Sequence, residues 1–216
     1  MTSPGTVAVH RIVTGPLAAN CYVVSSASGD AAIVDPGGEC EAIAKHVAAH
    51  GLLPRAALAT HGHHDHVGAL AEVVGLYDAP FGIHSAESAS LRRVNFCRFA
   101  FHGEEPVEIP DFDVDLADVA TLALGDLELT VVHTPGHSPG SVCLEVAGAL
   151  LTGDTLMATG PGSANLPGSD PALLEASIRR LAELYPPDTT IHPGHGGRGR
   201  LGDALAGLPR TAESRA

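Results

Sequence analysis

The stretch "THGHHDH", residues 60–66, places four histidines and one aspartate within seven consecutive positions. It follows an apolar run at 55–60 that is typical of a strand. It precedes a run at 67–75 whose apolar residues recur every three or four positions, as in a helix. The motif therefore lies where a strand passes into a helix. A lone histidine is usually a surface or capping residue, but this density of imidazole and carboxylate groups predicts a metal site.

Alternating side-chain directions separate the residues of this motif. In an extended chain, positions i, i+2 and i+4 face the same way, so we expect His61, His63 and Asp65 to converge. His64 faces the other way, and we predict a rim or buried hydrogen-bonding role for it. The backbone turns into the helix at His66, which we expect to join Asp65 at a second metal. Imidazole and carboxylate ligands without a thiolate suit zinc or another divalent first-row ion.

Three further segments supply matching ligands at predicted strand ends. They are "HTPGHSPGS" with His137, "LLTGDTL" with Asp154, and "HPGHGG" with His195. Each lies in or beside a glycine-containing turn, which lets the chain reverse direction and leave a side chain at the end of a sheet. Together with the opening motif, these segments predict a catalytic site for two metals.

The rest of the chain alternates short strands and helices without a repeat, which predicts one α/β layered domain over residues 1–216. Other strands are predicted at 7–13, 21–25, 31–34, 127–134, 141–146, 149–152 and 189–192, and other helices at 39–50 and 171–185.

Charge and composition exclude several classes of partner. With 25 acidic and 12 basic residues the formal net charge is −13, so we expect binding neither to nucleic acid nor to an anionic membrane surface. Residues 1–5 have neither the basic nor the apolar region of a signal peptide, and no run approaches the ~20 apolar residues of a membrane span. We therefore expect a cytoplasmic protein.

The ordered motifs, from Asp35 in "IVDPGG" to His195, resemble those of the metallo-β-lactamase-fold hydrolases, and within them the glyoxalase II-like group. The resemblance covers nearly the whole chain. It implies a four-layer αββα sandwich with the metals at one edge between two sheets. It also implies these ligands: His61, His63 and His137 for the first metal, Asp65, His66 and His195 for the second, and Asp154 as the bridge between them.

The resemblance implies hydrolysis by two Zn²⁺ ions, with iron or manganese as alternatives. Such a pair, about 3.5–4 Å apart, shares a water and lowers its pKa toward neutrality. We expect Asp65 to orient this nucleophile and to take up its proton, which makes Asp65 the catalytic residue. The substrate class implied is a small acyl thioester, as in hydroxyacylglutathione hydrolases. A thiolate leaves without protonation, and we find no obvious general acid beside the ligands.

Other activities share these motifs. Persulfide dioxygenases resemble the chain equally but use one Fe²⁺, which His61, His137 and Asp154 would hold here. A lactone or ester hydrolase of the same fold is a further alternative. The penicillin-destroying members carry a cysteine, or no bridging carboxylate, where this chain has Asp154, so antibiotic hydrolysis is disfavoured.

The segment after the bridging aspartate departs from the small thioesterases of the group. In "GPGSANLPGSD", Ser163 and Asn165 stand where those enzymes carry arginine and aspartate. The Arg–Asp pair that would brace this loop is therefore missing. This departure leaves open a third class, a non-catalytic metal-binding module, against which the seven intact ligands argue.

Only 21 residues follow His195, too few for the C-terminal helical domain that binds glutathione in full-length glyoxalase II enzymes. Instead, we predict that Arg92, Arg93, Phe96 and Phe99 contact the small-molecule acyl-thiol substrate. The alternative is a surface helix that packs its aromatic rings on the sandwich.

The remaining histidines are predicted to be ordinary. His46 and His50 share one face of a helix without a carboxylate companion, which favours a solvated face over a metal site. His133 and His192 are predicted to lie inside strands as core or supporting groups.

Overall fold

Two six-stranded β-sheets form the centre of the computed structural model, which describes residues 7–207. The outer ends of the predicted domain, residues 1–6 and 208–216, lie outside the described part. So does the stretch 1–5 on which the expectation about a signal peptide rests.

The first sheet contains six strands in chain order. They are β1 (Ala8–Thr14), β2 (Ala19–Ser25), β3 (Asp30–Val34), β4 (Leu53–Leu58), β5 (Phe81–Ile83) and β6 (Val114–Asp115). The first three strands pair antiparallel, whereas β3 to β6 pair parallel. Parallel neighbours need crossover connections, and these carry helices onto the outer face of the sheet.

The second sheet is built from strands after residue 120. In chain order the strands there are β7 (Thr121–Leu124), β8 (Leu127–His133), β9 (Val142–Val146), β10 (Ala149–Gly153), β11 (Leu156–Met157), β12 (Gly160–Pro161), β13 (Thr190–Pro193) and β14 (Gly199–Arg200). The sheet has the order β14-β13-β10-β9-β8-β7, while β11 and β12 form a separate hairpin. Strands β10 and β13 are parallel, so a helix connects them.

The helices are α1 (Cys40–Ala49), α2 (His64–Val67), α3 (Leu70–Tyr77), α4 (Ser88–Leu91), α5 (Val94–His102), α6 (Pro171–Leu184) and α7 (Leu201–Ala206), with a 3-10 turn at Ser85–Glu87. Helix α6 shows how the sequence starts a helix. The side chain of Asp170 accepts hydrogen bonds from the backbone N–H groups of Ala172 and Leu173 at 2.9 and 3.1 Å, and Pro171 occupies the first turn. Among the described helices, none has the length and apolar character needed to cross a membrane.

Three apolar layers hold the helices and sheets together. Strand β2 contributes side chains to two of them. Its side chains alternate, so Cys21 and Val23 join the core under the helices while Tyr22 and Val24 join the core between the sheets. The core on the helix side includes Ile33, Ile43, Leu70 and Phe81. The central core includes Leu58, Leu129 and Leu144, and the third, under α6 and α7, includes Leu150, Ile178, Leu181 and Ile191. The predicted αββα sandwich is confirmed.

The predicted elements agree with the structure to within two residues at either end, except that the helix predicted at 67–75 begins three residues later, as α3, after the separate short helix α2. The chain forms two helices there, because the N–H of Ala69 bonds to the carbonyl of Pro36 at 2.9 Å instead of continuing the ladder of α2. A Cβ at Gly68 would lie 2.4 Å from the carbonyl oxygen of Gly37. The loop after β3 thus packs directly against α2, the helix that carries the second half of the histidine motif.

Candidate metal centre

The seven predicted ligand side chains lie on segments that follow the carboxyl ends of four strands. The segment after β4 carries the histidine motif, and the segments after β8, β10 and β13 carry His137, Asp154 and His195. The structure brings these segments together into one cluster. Three groups have ligand atoms that all lie within 4.8 Å of one another: His61, His63 and His137; His61, His66 and Asp154; and Asp65, His66 and His195.

Asp154 lies between the groups. Its Oδ2 is 3.6 Å from Nε2 of His137 on one side and 3.6 Å from Nε2 of His195 on the other, and its Oδ1 is 3.6 Å from Nε2 of His66. Nε2 of His195 is also 3.2 Å from Oδ2 of Asp65. One carboxylate therefore faces the imidazoles of both predicted metals, as a bridging ligand must.

Two polar atoms at the heart of the cluster have no hydrogen-bond partner among residues 7–207. They are Nε2 of His61 and Oδ1 of Asp154, and both are buried. A buried polar atom left without a partner costs about 1–3 kcal/mol. Nδ1 of His61 meets the hydroxyl of Thr60 at 3.1 Å, so Nε2 is the atom free to bind a ligand. Buried imidazoles and carboxylates with unused lone pairs are positioned for a divalent metal.

In the first predicted metal group (His61, His63 and His137), burial holds the imidazoles of His61 and His63 neutral. It lowers the pKa of His61 well below its usual range, and the neighbouring imidazoles of His66 and His63 lower it further. Burial, together with His137, lowers the pKa of His63 to about 3. Because the neutral imidazole is the form that binds metal, His61 and His63 are ready to bind near neutral pH without losing a proton.

The second predicted metal group, Asp65, His66 and His195, carries charges instead. Burial alone would raise the pKa of Asp65, but His66 and a hydrogen bond from His195 hold it below its usual range. Burial would likewise lower the pKa of His66, yet Asp65, Asp154 and a hydrogen bond to Asp35 raise it to about 10. The hydrogen bond to Asp65 also raises the pKa of His195. Without metal, the second group is an imidazolium–carboxylate cluster.

When the second group binds metal at pH 7, we therefore expect the release of at least about one proton per chain. His66 is protonated there because its pKa is raised above neutrality, and a metal ligand must be neutral. Affinity should rise about tenfold per pH unit for each proton displaced. Calorimetric titration of metal-free protein in two buffers of different ionisation enthalpy measures this release. Identical heats in both buffers would show that His66 does not give up a proton.

The expectation that Asp65 converges with His61 and His63 on one face of an extended chain is wrong. His63 is extended, with φ −75° and ψ 148°, but Asp65 already lies in the first turn of α2. Close packing fixes this turn, because a Cβ at Gly37 would lie 1.7 Å from the carbonyl oxygen of Asp65. The helical turn directs Asp65 toward His66 and His195 instead.

Asp35 orients the second group, a role that the sequence motif did not reveal. Its carboxylate accepts hydrogen bonds from the backbone N–H and the hydroxyl of Thr60, both at 2.7 Å, and from Nδ1 of His66 at 3.1 Å. Since Nδ1 of His66 is engaged, Nε2 points toward Asp154. Asp35 lies 31 residues from His66 in the chain, so only the fold shows the contact.

Further hydrogen bonds hold two of the ligand segments in place. Nδ1 of His137 donates to the backbone carbonyl of Ser163 at 2.7 Å. Ser163 stands where the small thioesterases carry arginine. This difference leaves the hydrogen bond to His137 intact, because the backbone carbonyl accepts it and the side chain does not. The carbonyl of Pro193 accepts from the side-chain amide of Asn20 and the hydroxyl of Tyr22, both at 2.7 Å, which fixes the segment leading to His195.

The predicted substrate residues lie on an exposed surface. Phe96 and Phe99 are each 70% exposed, and Arg92 and Arg93 are also exposed. The alternative, a helix that packs these aromatic rings on the sandwich, is wrong, because α5 buries Val94 instead. The far end of α5 meets the histidine motif, where Nε2 of His102 lies 3.1 Å from Nε2 of His64. His64 thus has the hydrogen-bonding role predicted for it.

The other histidines fall partly as predicted. His46 is half-buried and His50 exposed, and the ring of His10 stacks on His46 with centroids 3.6 Å apart. His192 is half-buried in β13, as expected. The prediction for His133 is wrong, because this residue at the end of β8 is exposed.

Comparison with known proteins agrees with this geometry. The family model described as the metallo-beta-lactamase superfamily matches residues 14–195. The hydroxyacylglutathione hydrolase of Anaeromyxobacter dehalogenans is 41% identical over 91% of this chain and 69% of its own length. The crystal structure of the BLEG-1 B3 metallo-beta-lactamase is 32% identical with a TM-score of 0.86, covering 92% of this chain and 97% of its own. That of TTHA1623 in a di-iron-bound form is 34% identical with a TM-score of 0.83, covering 93% and 99%.

Proposed function

The chain belongs to the metallo-β-lactamase superfamily, and we propose that it is a dinuclear metal-dependent hydrolase that cleaves a small acyl thioester. The observation that carries this proposal is the position of Asp154, whose two oxygens face the imidazoles of both ligand groups. One carboxylate shared by two such groups is what a bridged metal pair requires. The named relative from Anaeromyxobacter dehalogenans supports the thioester as the substrate class.

Two divalent ions held by these residues would lower the pKa of a shared water toward neutrality and polarise the substrate carbonyl. The protein side chains do the rest. Asp65 is ionised at neutral pH, with its pKa below the usual range, and its carboxylate would orient the attacking water and accept its proton. Asp35 keeps His66 in the tautomer whose Nε2 faces the centre.

The protonation states favour a thiolate as leaving group. An amine must be protonated as it leaves, whereas a thiolate with a pKa near about 8.5 departs unprotonated. Burial lowers the pKa of both His61 and His63, and a bound metal would displace the proton of His66, so none of these three imidazoles would act as an acid at neutral pH. The centre thus fits a thioester better than an amide.

Cleavage of a β-lactam is the second candidate, although Asp154 disfavours it, because the BLEG-1 relative carries the name of a B3 metallo-beta-lactamase and matches nearly its whole length to this chain. The amide nitrogen of a β-lactam would need a proton from water as it leaves. We propose zinc as the metal, and the di-iron form of TTHA1623 makes iron the alternative for the same ligands.

We further propose that the exposed face of α4 and α5 contacts the thiol carrier. Arg92 and Arg93 offer two cations on a chain of net charge −13, and Phe96 and Phe99 lie one and two turns beyond them. A carboxylate or phosphate on the carrier would pair with the guanidinium groups, and the rings would cover its apolar part.

The double variant Arg92→Ala/Arg93→Ala is expected to raise KM about tenfold and to leave kcat unchanged, because a charge-assisted contact contributes about 1.5–3 kcal/mol to binding alone. Steady-state kinetics on an anionic thioester measure this. Arg179→Ala, on the exposed face of α6, is the matched control and should not change KM. An unchanged KM in the double variant would remove this face from substrate binding.

The proposed function is tested by thiol release from a panel of acyl thioesters that includes S-lactoylglutathione and acetyl-coenzyme A, with protein whose metals have been counted. Nitrocefin and glutathione persulfide with an oxygen electrode complete the panel. We expect rapid thiol release from at least one thioester. Nitrocefin cleavage without thiol release would favour the β-lactam candidate, and oxygen uptake with one bound iron would favour a persulfide dioxygenase.

A further inference from the structure

A buried carboxylate lies behind the first ligand group. Glu87 ends the 3-10 turn Ser85–Glu87 and is 0% exposed. Its Oε2 accepts a hydrogen bond from the backbone N–H of Gly62 at 2.9 Å, and its Oε1 accepts one from the N–H of Gly140 at 2.6 Å. Each oxygen of one side chain therefore binds a different loop.

These two loops carry the first metal group and come from different sheets. Gly62 lies between His61 and His63 on the segment after β4, in the first sheet. Gly140 lies three residues after His137, on the connection from β8 to β9 in the second sheet. Glu87 thus links segments of the two sheets at the level of the ligands, and the N–H of Val142 also bonds to the carbonyl of Thr60 there.

The glycines on both loops make this approach possible. A Cβ at Gly62 would lie 3.1 Å from Oε2 of Glu87, and a Cβ at Gly140 would lie 2.9 Å from its Cγ. Larger residues would push the carboxylate away from one loop or the other. The packing accounts for a glycine at each position without invoking a turn.

A buried carboxylate is costly unless its hydrogen bonds compensate for the lost hydration. No ion pair with Glu87 occurs among residues 7–207, so the two backbone donors supply that compensation. Glutamine has the same shape, but it offers only one acceptor oxygen and would turn an N–H₂ group toward one of the donors. The site therefore requires an acceptor at both ends.

We propose that Glu87 is a positioning residue that sets the distance between the His61–His63 loop and the His137 loop, and thereby the affinity of the first metal group. The inference rests on the metal centre of the proposed function. Groups that orient ligands without touching the metal typically account for 10–100-fold in affinity or activity, roughly. Glu87 acts on the loop backbones rather than on the imidazole rings.

The test compares Glu87→Gln with Glu145→Gln. Glu145 is a matched control, because its carboxylate also accepts a backbone N–H, from Gly148 at 2.7 Å, in an exposed hairpin. Zinc affinity is measured by competition with a chelating dye, together with kcat, KM and the melting temperature of the metal-free protein. We expect Glu87→Gln to bind zinc at the first metal group about 10–100-fold more weakly. We expect this variant to recover kcat in excess zinc. Glu145→Gln should match the wild type.

A second pair of variants covers the case in which Glu87→Gln does not fold. Gly140→Ala displaces the same carboxylate without changing charge, whereas Gly75→Ala meets no atom within 4 Å. Gly140→Ala should weaken zinc binding and Gly75→Ala should not. Wild-type zinc affinity in a folded Glu87→Gln or Gly140→Ala variant would overturn the role of Glu87 and leave the proposed function standing. A wild-type protein that binds no metal would overturn the proposed function as well.

Discussion

The Asp154→Asn variant is expected to lose at least about 1000-fold in kcat/KM while it remains folded. Metal ions stabilise a hydrolytic transition state by several kcal/mol, and each about 1.4 kcal/mol is tenfold in rate. Asp154 faces His66, His137 and His195 at 3.6 Å, so its charge would serve both of the proposed metals. Loss of that charge would weaken the binding of each.

The measurement combines kinetics, metal content and circular dichroism on the same preparation. Asp111→Asn makes the same chemical change at an exposed position and serves as the control, which should retain full activity. Near-normal rates in Asp154→Asn with two metals retained would contradict the bridging role.

The Asp65→Ala variant is expected to lose turnover as completely but to keep one metal per chain. Asp65 belongs only to the group with His66 and His195, so the group of His61, His63 and His137 stays whole. The variant also removes the carboxylate that we propose as acceptor of the proton of the attacking water. Its metal count therefore distinguishes it from the Asp154 variant.

Elemental analysis after gel filtration, with turnover on the best thioester, checks this expectation. His46→Ala, on the surface of α1, is the control and should leave both values nearly unchanged. If Asp65→Ala kept two metals and normal turnover, Asp65 would be neither a ligand nor a proton acceptor. Normal rates in both aspartate variants would overturn the assignment of the whole centre.

Much of the architecture follows from patterns that are local in the chain. Apolar alternation predicts the long strands, and the ordered motifs from Asp35 to His195 imply the sandwich. Residue types and spacing also predict which seven side chains meet. Their role as ligands stays a prediction, although the structure brings them within reach of one another.

Contacts between distant segments could not be predicted in this way. Asp65 follows an extended pattern in the sequence, but packing of the loop at Gly37 closes a helical turn and moves it to the second group. Asp35 reaches His66 across 31 residues, and Glu87 reaches Gly140 across 53. Such hydrogen bonds depend on which strands are neighbours, and no local pattern records that.

Helix α5, with its exposed aromatic rings, is another feature that local sequence patterns did not determine. Phe96 and Phe99 suggest burial by composition, yet α5 turns Val94 inward and leaves both rings 70% exposed. A nine-residue helix has room for one buried stripe, and its neighbours decide which stripe that is. The exposed stripe is then available to a ligand.

Two metals, held by seven side chains, are proposed to act together in this centre. The most direct measurement is a zinc titration of metal-free protein, followed by thiol release from the best thioester at each step. Activity is predicted to stay low through the first equivalent, to rise with the second, and to level off at two per chain. Full activity at one zinc per chain, or without any metal, would contradict the account.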